Sequence, residues 1–295
     1  MSASDQELDA SSAAVASGNR RIWLCADDYG ISPAVDAAIR DLIANRRLNA
    51  TSVMVAAPSF SRSEAVSLSI LNAGEKHAQI GLHLTLTGPF RPLSAGFEPI
   101  RDGAFLPLSE MLRQSLLRRL SKAALAREVA AQLQAFAAAF GRAPDFVDGH
   151  HHAHIFPQVR DVVLAAVKET APGAWLRQCA QAVPLYRRLG DHKGLVIDVL
   201  SRVVRRRARA LGIVTNPAFA GTYDFVATAD FAALFPSFLD WLPDGGLIGC
   251  HPGHVDAELE RLDPLTELRE REYRYLSSDA FPAMLAAHGV SLAAA

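Results

Sequence analysis

Cysteine is scarce in this 295-residue chain. Cys25, Cys179 and Cys250 are odd in number and far apart, which excludes a small disulfide-stapled scaffold and points to a reducing compartment. Long apolar runs are missing as well. Nothing approaches the roughly 18 uninterrupted apolar residues of a spanning helix, so no membrane span is expected. Neither sign of charge dominates: 30 basic residues stand against 31 acidic ones, which gives no long-range pull toward nucleic acid or an anionic bilayer. The stretch 1–19 is rich in Ser and Ala and carries Asp5, Glu7 and Asp9. It lacks the basic start and compact apolar segment of a secretory signal, so it reads as a disordered tail and the cytoplasm as the default location.

What the sequence has in quantity is short apolar segments alternating with amphipathic ones. Arg21–Ala26, Thr51–Ala56, Gln79–His83, Asp145–Asp148, Ala174–Arg177 and Gly246–Cys250 read as strands. Pro33–Asn45 has helical spacing, with Ser32 as the expected cap and Pro33 at the first helical position. Ser61–Ala73, Leu106–Leu120, Lys122–Phe140, Pro157–Thr170, Asp230–Trp241 and Asp279–His288 are further expected helices. Such alternation predicts a mostly parallel sheet covered on both faces, and about seven strands in one chain predict a distorted, TIM-barrel-like (β/α) barrel over residues 20–295. The Gly- and Pro-rich stretch Gly88–Gly103 is expected to loop over one end. Leu185–Asn216 reads as the least regular part; its Arg202, Arg205, Arg206, Arg207 and Arg209 suit a solvated face better than an anionic ligand. A homodimer is the base-rate expectation. The charged helix around Thr266–Tyr275 is a candidate interface, with a solvated face as the simpler reading.

The polar residues of interest follow the apolar strands. Asp27 and Asp28 follow Ile22–Ala26, His83 ends its strand, Asp148 and His150 close another, and His251 follows Leu247–Cys250. In a parallel α/β barrel the strand C-termini share one face, so these distant segments converge on one mouth. Adjacent carboxylates repel when buried, and a cation or hydrogen bonds must compensate. The run from Asp148 to His154 holds four histidines in five positions, a density that suits metal binding better than chance. Were this run extended, His150, His152 and His154 would share one side. Not all can be ligands; the others are left to orient, hydrogen-bond or touch substrate. One carboxylate with two imidazoles makes an open site for a divalent ion, which lowers the pKa of a water and polarises a carbonyl. A neighbouring carboxylate can take the water's proton and a histidine across the site can protonate a departing amine, a division of labour that fits amide hydrolysis. Arg177, at another strand end, can pair with Asp27 and keep it ionised, or form an ion pair elsewhere. Trp23, Phe90, Phe219 and Tyr223 are candidates for stacking on a sugar, with ordinary packing the simpler reading of each.

The stretches Ala26–Gly30, Gly81–Leu84, Asp148–His154 and His251–Gly253 resemble the YdjC-like carbohydrate deacetylase family, in order and over nearly the whole chain. The resemblance implies a distorted (β/α) barrel, one divalent ion (Mg2+ or Zn2+ foremost) and an N-acetylated sugar, oligosaccharide or glycolipid head group, as substrate. Carried over by position, Asp28, His83 and His150 are the metal ligands, Asp27 the general base and His251 the general acid, with His152, His154, Arg177 and His254 supporting. Tyr29 stands where Phe is usual, Ala153 where Val is common, and His254 where an aromatic is frequent. Two other functions share this residue set. Two histidines and a carboxylate also make the iron site of non-haem oxygenases. A sugar-binding protein without turnover is the third reading, against which Asp27 speaks, since binding alone needs no base.

Overall fold

Apolar runs of the sequence become the strands of one parallel sheet in the computed structural model, which describes residues 19–184, 186, 188 and 190–295. Apart from Asn19, the expected N-terminal tail lies outside the described residues. In chain order the elements are β1 (Arg20–Tyr29), α1 (Pro33–Ala44), β2 (Ala50–Val53), α2 (Arg62–Ile70), β3 (Gln79–Leu84), β4 (Ile100–Arg101), β5 (Ala104–Phe105), α3 (Leu108–Leu116) and α4 (Lys122–Phe140). They continue with β6 (Phe146–Gly149), a 3-10 turn (His150–Ile155), α5 (Val159–Thr170), β7 (Trp175–Leu176), α6 (His192–Ala210), β8 (Phe219–Ala220) and α7 (Phe231–Leu239). The last are β9 (Leu247–Cys250), α8 (Ala257–Leu262), α9 (Glu267–Ser277), α10 (Ala280–Ala287) and β10 (Val290–Leu292).

The strand order is β7-β6-β3-β2-β1-β9-β8, with β10 alongside the first residues of β1 and β4–β5 a separate hairpin. Every pairing in the main sheet is parallel, so the strand C-termini face one way. The sheet curls until its two edges meet. Leu176 N donates to Val214 O at 2.9 Å and Phe219 N to Ala180 O at 3.0 Å. Buried Asn216 stitches the seam between them: its Oδ1 accepts from Gln178 N at 2.8 Å, and its Nδ2 donates to Gln178 O and Ala218 O at 2.9 Å each. A side-chain seam in place of a full ladder is what makes this (β/α) barrel distorted.

Local chemistry sets the boundaries. Ser32 Oγ accepts from Val35 N and Pro33 opens α1, as the sequence predicts. α4 runs from the Ser121 cap to Gly141 in the left-handed region (φ 69°). The expectation of irregularity over Leu185–Asn216 is overturned by α6, a 19-residue helix capped by Asp191. Its buried residues are Gly194, Asp198, Leu200, Ser201, Val204 and Ala208, so polar and small residues interrupt the apolar ones on the face that packs. Arg202, Arg205, Arg206 and Arg209 are exposed on it, and Arg207 pairs with Asp161. No helix among the described residues is long and apolar enough to cross a membrane.

Candidate metal and catalytic site

β1 carries Asp27 and Asp28 to the mouth of the barrel. Its register with β2 slips between Ala26 and Tyr29, the stretch that holds both carboxylates. Asp28 itself is left-handed (φ 68°), a conformation Asp tolerates better than most residues. Gly30 follows at φ 100°, where any side chain is strained, and its N–H donates to buried Asp36 at 2.5 Å. The turn thereby aims one carboxylate apart from the other.

Asp28 Oδ1 lies 3.2 Å from His83 Nε2 and 3.0 Å from His150 Nδ1. The three residues are 1–5 % exposed, and their donor atoms fall within 4.8 Å of one another. The other oxygen of Asp28 is taken by Arg269 Nη2 at 2.6 Å, which also reaches Asp263 at 2.8 Å. Burial alone raises the Asp28 carboxyl; Arg269, with His150 and His83, outweighs it and holds the group well below the usual range. His83 Nδ1 faces Asp148 Oδ1 at 2.7 Å and Ser52 Oγ at 2.9 Å. Burial disfavours the charged ring, but Asp148 and Asp28 prevail and push His83 up to about 10. A proton held on Nδ1 by Asp148 turns Nε2 toward Asp28, the arrangement that metal-binding histidines use.

Asp27 has a different partner. Arg177 Nη1 and Nη2 donate to its two oxygens at 2.6 and 2.7 Å. The same guanidinium lies 2.6 Å from Asp148 Oδ2 and 5.6 Å over the Phe219 ring, and it is fully buried. Against the upward push of burial, Arg177 brings the Asp27 carboxyl well below its ordinary value. Asp28, His83, Asp148, Arg177 and Asp27 thus form one continuous chain of charge.

The histidine run is not extended. His151 and His152 are left-handed, at φ 54° and 56°, inside the 3-10 turn, which overturns the expected alternation. Each imidazole goes to its own address. His150 Nδ1 faces Asp28, His151 Nδ1 faces Thr87 Oγ1 at 2.9 Å, His152 Nδ1 faces Cys179 Sγ at 3.5 Å, and His154 Nε2 donates to Arg177 O at 3.0 Å. Burial pushes His154 down to about 3, so its ring is neutral.

His251 follows β9, where its N–H donates to Glu272 at 2.5 Å and its ring meets Phe225 edge-on at 5.7 Å. Its Nδ1 is buried with no partner, and the ring is close enough to act electrostatically on Asp27 and His152. His254 is 41 % exposed along its side chain, pairs with Glu270 at 3.2 Å and packs on Tyr273; it shares none of the contacts that join Asp28, His83 and His150. Of the aromatic candidates, Phe90 and Phe219 are 3 % exposed and packed edge-on against His150 and His152, so neither offers a face to a sugar. Tyr223 spends its hydroxyl on Glu272 at 2.6 Å, and Trp23 packs against the core. The Gly88–Gly103 loop bends back through the β4–β5 hairpin, with Phe105 N bonded to Phe90 O at 2.8 Å, and so delivers Phe90 to the site.

Sequence reading missed Arg269, Asp263 and Glu272. The charged helix treated as a solvated or interface face buries Leu268, Arg269, Glu272 and Leu276. That helical spacing is the available signal, and charged residues inside it are what disguised it. Ser52, Thr87 and Cys179 carried no signal of their own.

The donor set fits one divalent ion: two nitrogens and one carboxylate oxygen converge, each backed by a fixed partner or ring. The sequence profile of the YdjC-like protein family matches residues 21–287. A chitooligosaccharide deacetylase of Escherichia fergusonii is 27 % identical over 223 residues, 68 % of this chain and 82 % of that one. Another of that name from Yersinia pestis is 32 % identical over 150 residues, 49 % of this chain and 54 % of its own. A crystal structure from Enterococcus faecalis, described as a cellobiose-phosphate cleavage protein, is similar with a TM-score of 0.68 at 23 % identity, over 94 % of this chain and 97 % of that one. This last likeness shows the fold.

Proposed function

The chain belongs to the YdjC-like protein family, and from that footing we propose that it is a metal-dependent hydrolase that removes the acetyl group from an N-acetylated sugar, releasing acetate and a free amine. The observation that carries the proposal is the pairing of two differently held carboxylates: Asp28 faces His83 and His150, while its neighbour Asp27 is gripped by Arg177. The relatives named for chitooligosaccharide deacetylation support the substrate class.

Asp28, His83 and His150 would hold the ion, which supplies a lowered pKa to a water and polarises an acyl oxygen. Asp27 accepts the proton of the attacking water. Arg177 holds it ionised until that transfer, and so weakly basic that it can only serve a water already made acidic. Oxygen bonds to the acetyl carbon, the C–N bond breaks, and His251 gives the departing nitrogen its proton. Phe90 and the 3-10 turn pack around His150 and keep bulk water from its ring.

The test is acetate release from a panel of N-acetylated mono- and oligosaccharides and glycolipid head groups, using chelated protein re-supplied with single divalent metals. Metal-dependent acetate that disappears in His150→Ala is expected. No acetate from any sugar, with metal shown to be bound, overturns the proposal; oxygen uptake with Fe2+ and a reductant would favour the iron-oxygenase reading.

A further inference from the structure

We infer that Arg269 decides which metal the site accepts, by keeping one oxygen of Asp28 permanently occupied. This rests on the reading of Asp28, His83 and His150 as a metal site. Arg269 is 1 % exposed, and three anchors fix its guanidinium. Nη2 bonds Asp28 Oδ2 at 2.6 Å and Asp263 Oδ2 at 2.8 Å, and Nε donates to Leu265 O at 3.0 Å. The two imidazole nitrogens approach the opposite oxygen, Oδ1, at 3.0 and 3.2 Å. Asp28 is therefore divided, with one oxygen facing the protein's cation and one facing the cluster.

That division limits the number of ligands. Ions that prefer many oxygen contacts gain by taking both oxygens of a carboxylate, whereas Zn2+ is content with few ligands, nitrogen among them. To offer both oxygens here, Asp28 would have to break a buried charge-assisted pair. Arg269 also offsets the charge of Asp28, which lowers the general attraction of the site for hard cations. The helix that supplies it is itself braced on the mouth: Gly253 N donates to Arg269 O at 3.1 Å, and His251 N to Glu272 one turn further on. The helix that carries the arm is thus bonded to the loop that bears His251.

The experiment is calorimetric titration of the chelated full-length protein with Zn2+ alone and with Mn2+ alone, for wild type and Arg269→Gln. The preference for Zn2+ over Mn2+, read as the ratio of the two Kd values, is expected to shrink about tenfold in the variant. An unchanged ratio overturns the inference. Arg269→Gln leaves two buried carboxylates without their cation and can fail to fold, so a second measurement uses wild type only. Infrared difference spectra with and without Zn2+ should show the wide carboxylate splitting of single-oxygen coordination; the narrow splitting of two-oxygen coordination overturns the inference. Wild-type protein that binds neither ion overturns the metal reading and this inference together. Wild type that binds metal, beside a variant with the same ratio, overturns this inference alone.

Discussion

Arg177 binds both oxygens of Asp27, at 2.6 and 2.7 Å, from a fully buried position where the same guanidinium also faces Asp148. A lysine cannot reproduce that fork. Arg177→Lys is expected to lower kcat for deacetylation about a hundredfold while metal content stays at the wild-type level. Arg177→Ala, which strands two carboxylates, is expected to cost about 3 kcal/mol or more of stability. Steady-state kinetics, metal analysis and denaturant melts check the two outcomes; undiminished kcat in Arg177→Lys would remove the pair from the mechanism.

Asp27→Asn keeps the shape of the side chain and removes its charge. Turnover should fall about 10²–10⁴-fold, with divalent-metal affinity within a few-fold of wild type. Parallel loss of metal would instead place Asp27 among the ligands.

Asp148 is not one of the three residues that would hold the ion, yet it faces His83 Nδ1 at 2.7 Å. Asp148→Asn is expected to weaken metal binding about 10–100-fold, as loss of an imidazole's outer partner does elsewhere. Titration of chelated protein with Zn2+ is the readout, and equal affinity would show that Ser52 alone suffices to orient the ring.

Asp36 gives a prediction for stability against pH. Burial pushes its carboxyl up to about 8 in the folded chain, above the ordinary value of 3.8, because charging it there is opposed by Glu64 and Asp256 as well. The folded state therefore holds a proton that the unfolded state has released. The stabilising effect is complete below the unfolded value and is lost as pH rises toward about 8. Asp36→Asn, which can still accept from Gly30 N, should flatten this decline by at most about 1.4 kcal/mol per pH unit. Thermal melts of both proteins between pH 5 and 8 decide it; parallel curves would place the proton elsewhere.

β1, β2, β3, β6, β7, β9 and most helices were legible because each buries an apolar face whose period survives in the sequence, whereas β4, β5, β8 and β10, of two or three residues each, are too short to show one. β1, β3 and α4 are examples, with α4 running over the expected residues. The convergence of Asp27, Asp28, His83 and His150 was legible for the same reason, since parallel strands send their ends to one face. α6 was not, because Gly194, Asp198 and Ser201 share its packing face with Leu200, Val204 and Ala208 and break up the apolar period. Nor was the conformation of the histidine run: left-handed His151 and His152 meet partners that lie 64 and 27 residues away, respectively. Arg269 went unseen because a buried arginine on a helix of charged residues differs from its exposed neighbours only through tertiary contacts.

The 3-10 turn at His150–Ile155 spreads four rings from one short peptide to β1, to the segment after β3 and to the chain leaving β7. A substitution there severs one tether. Deleting or inserting a single residue would misalign all four, so this hexapeptide tolerates changes of letter far better than changes of length.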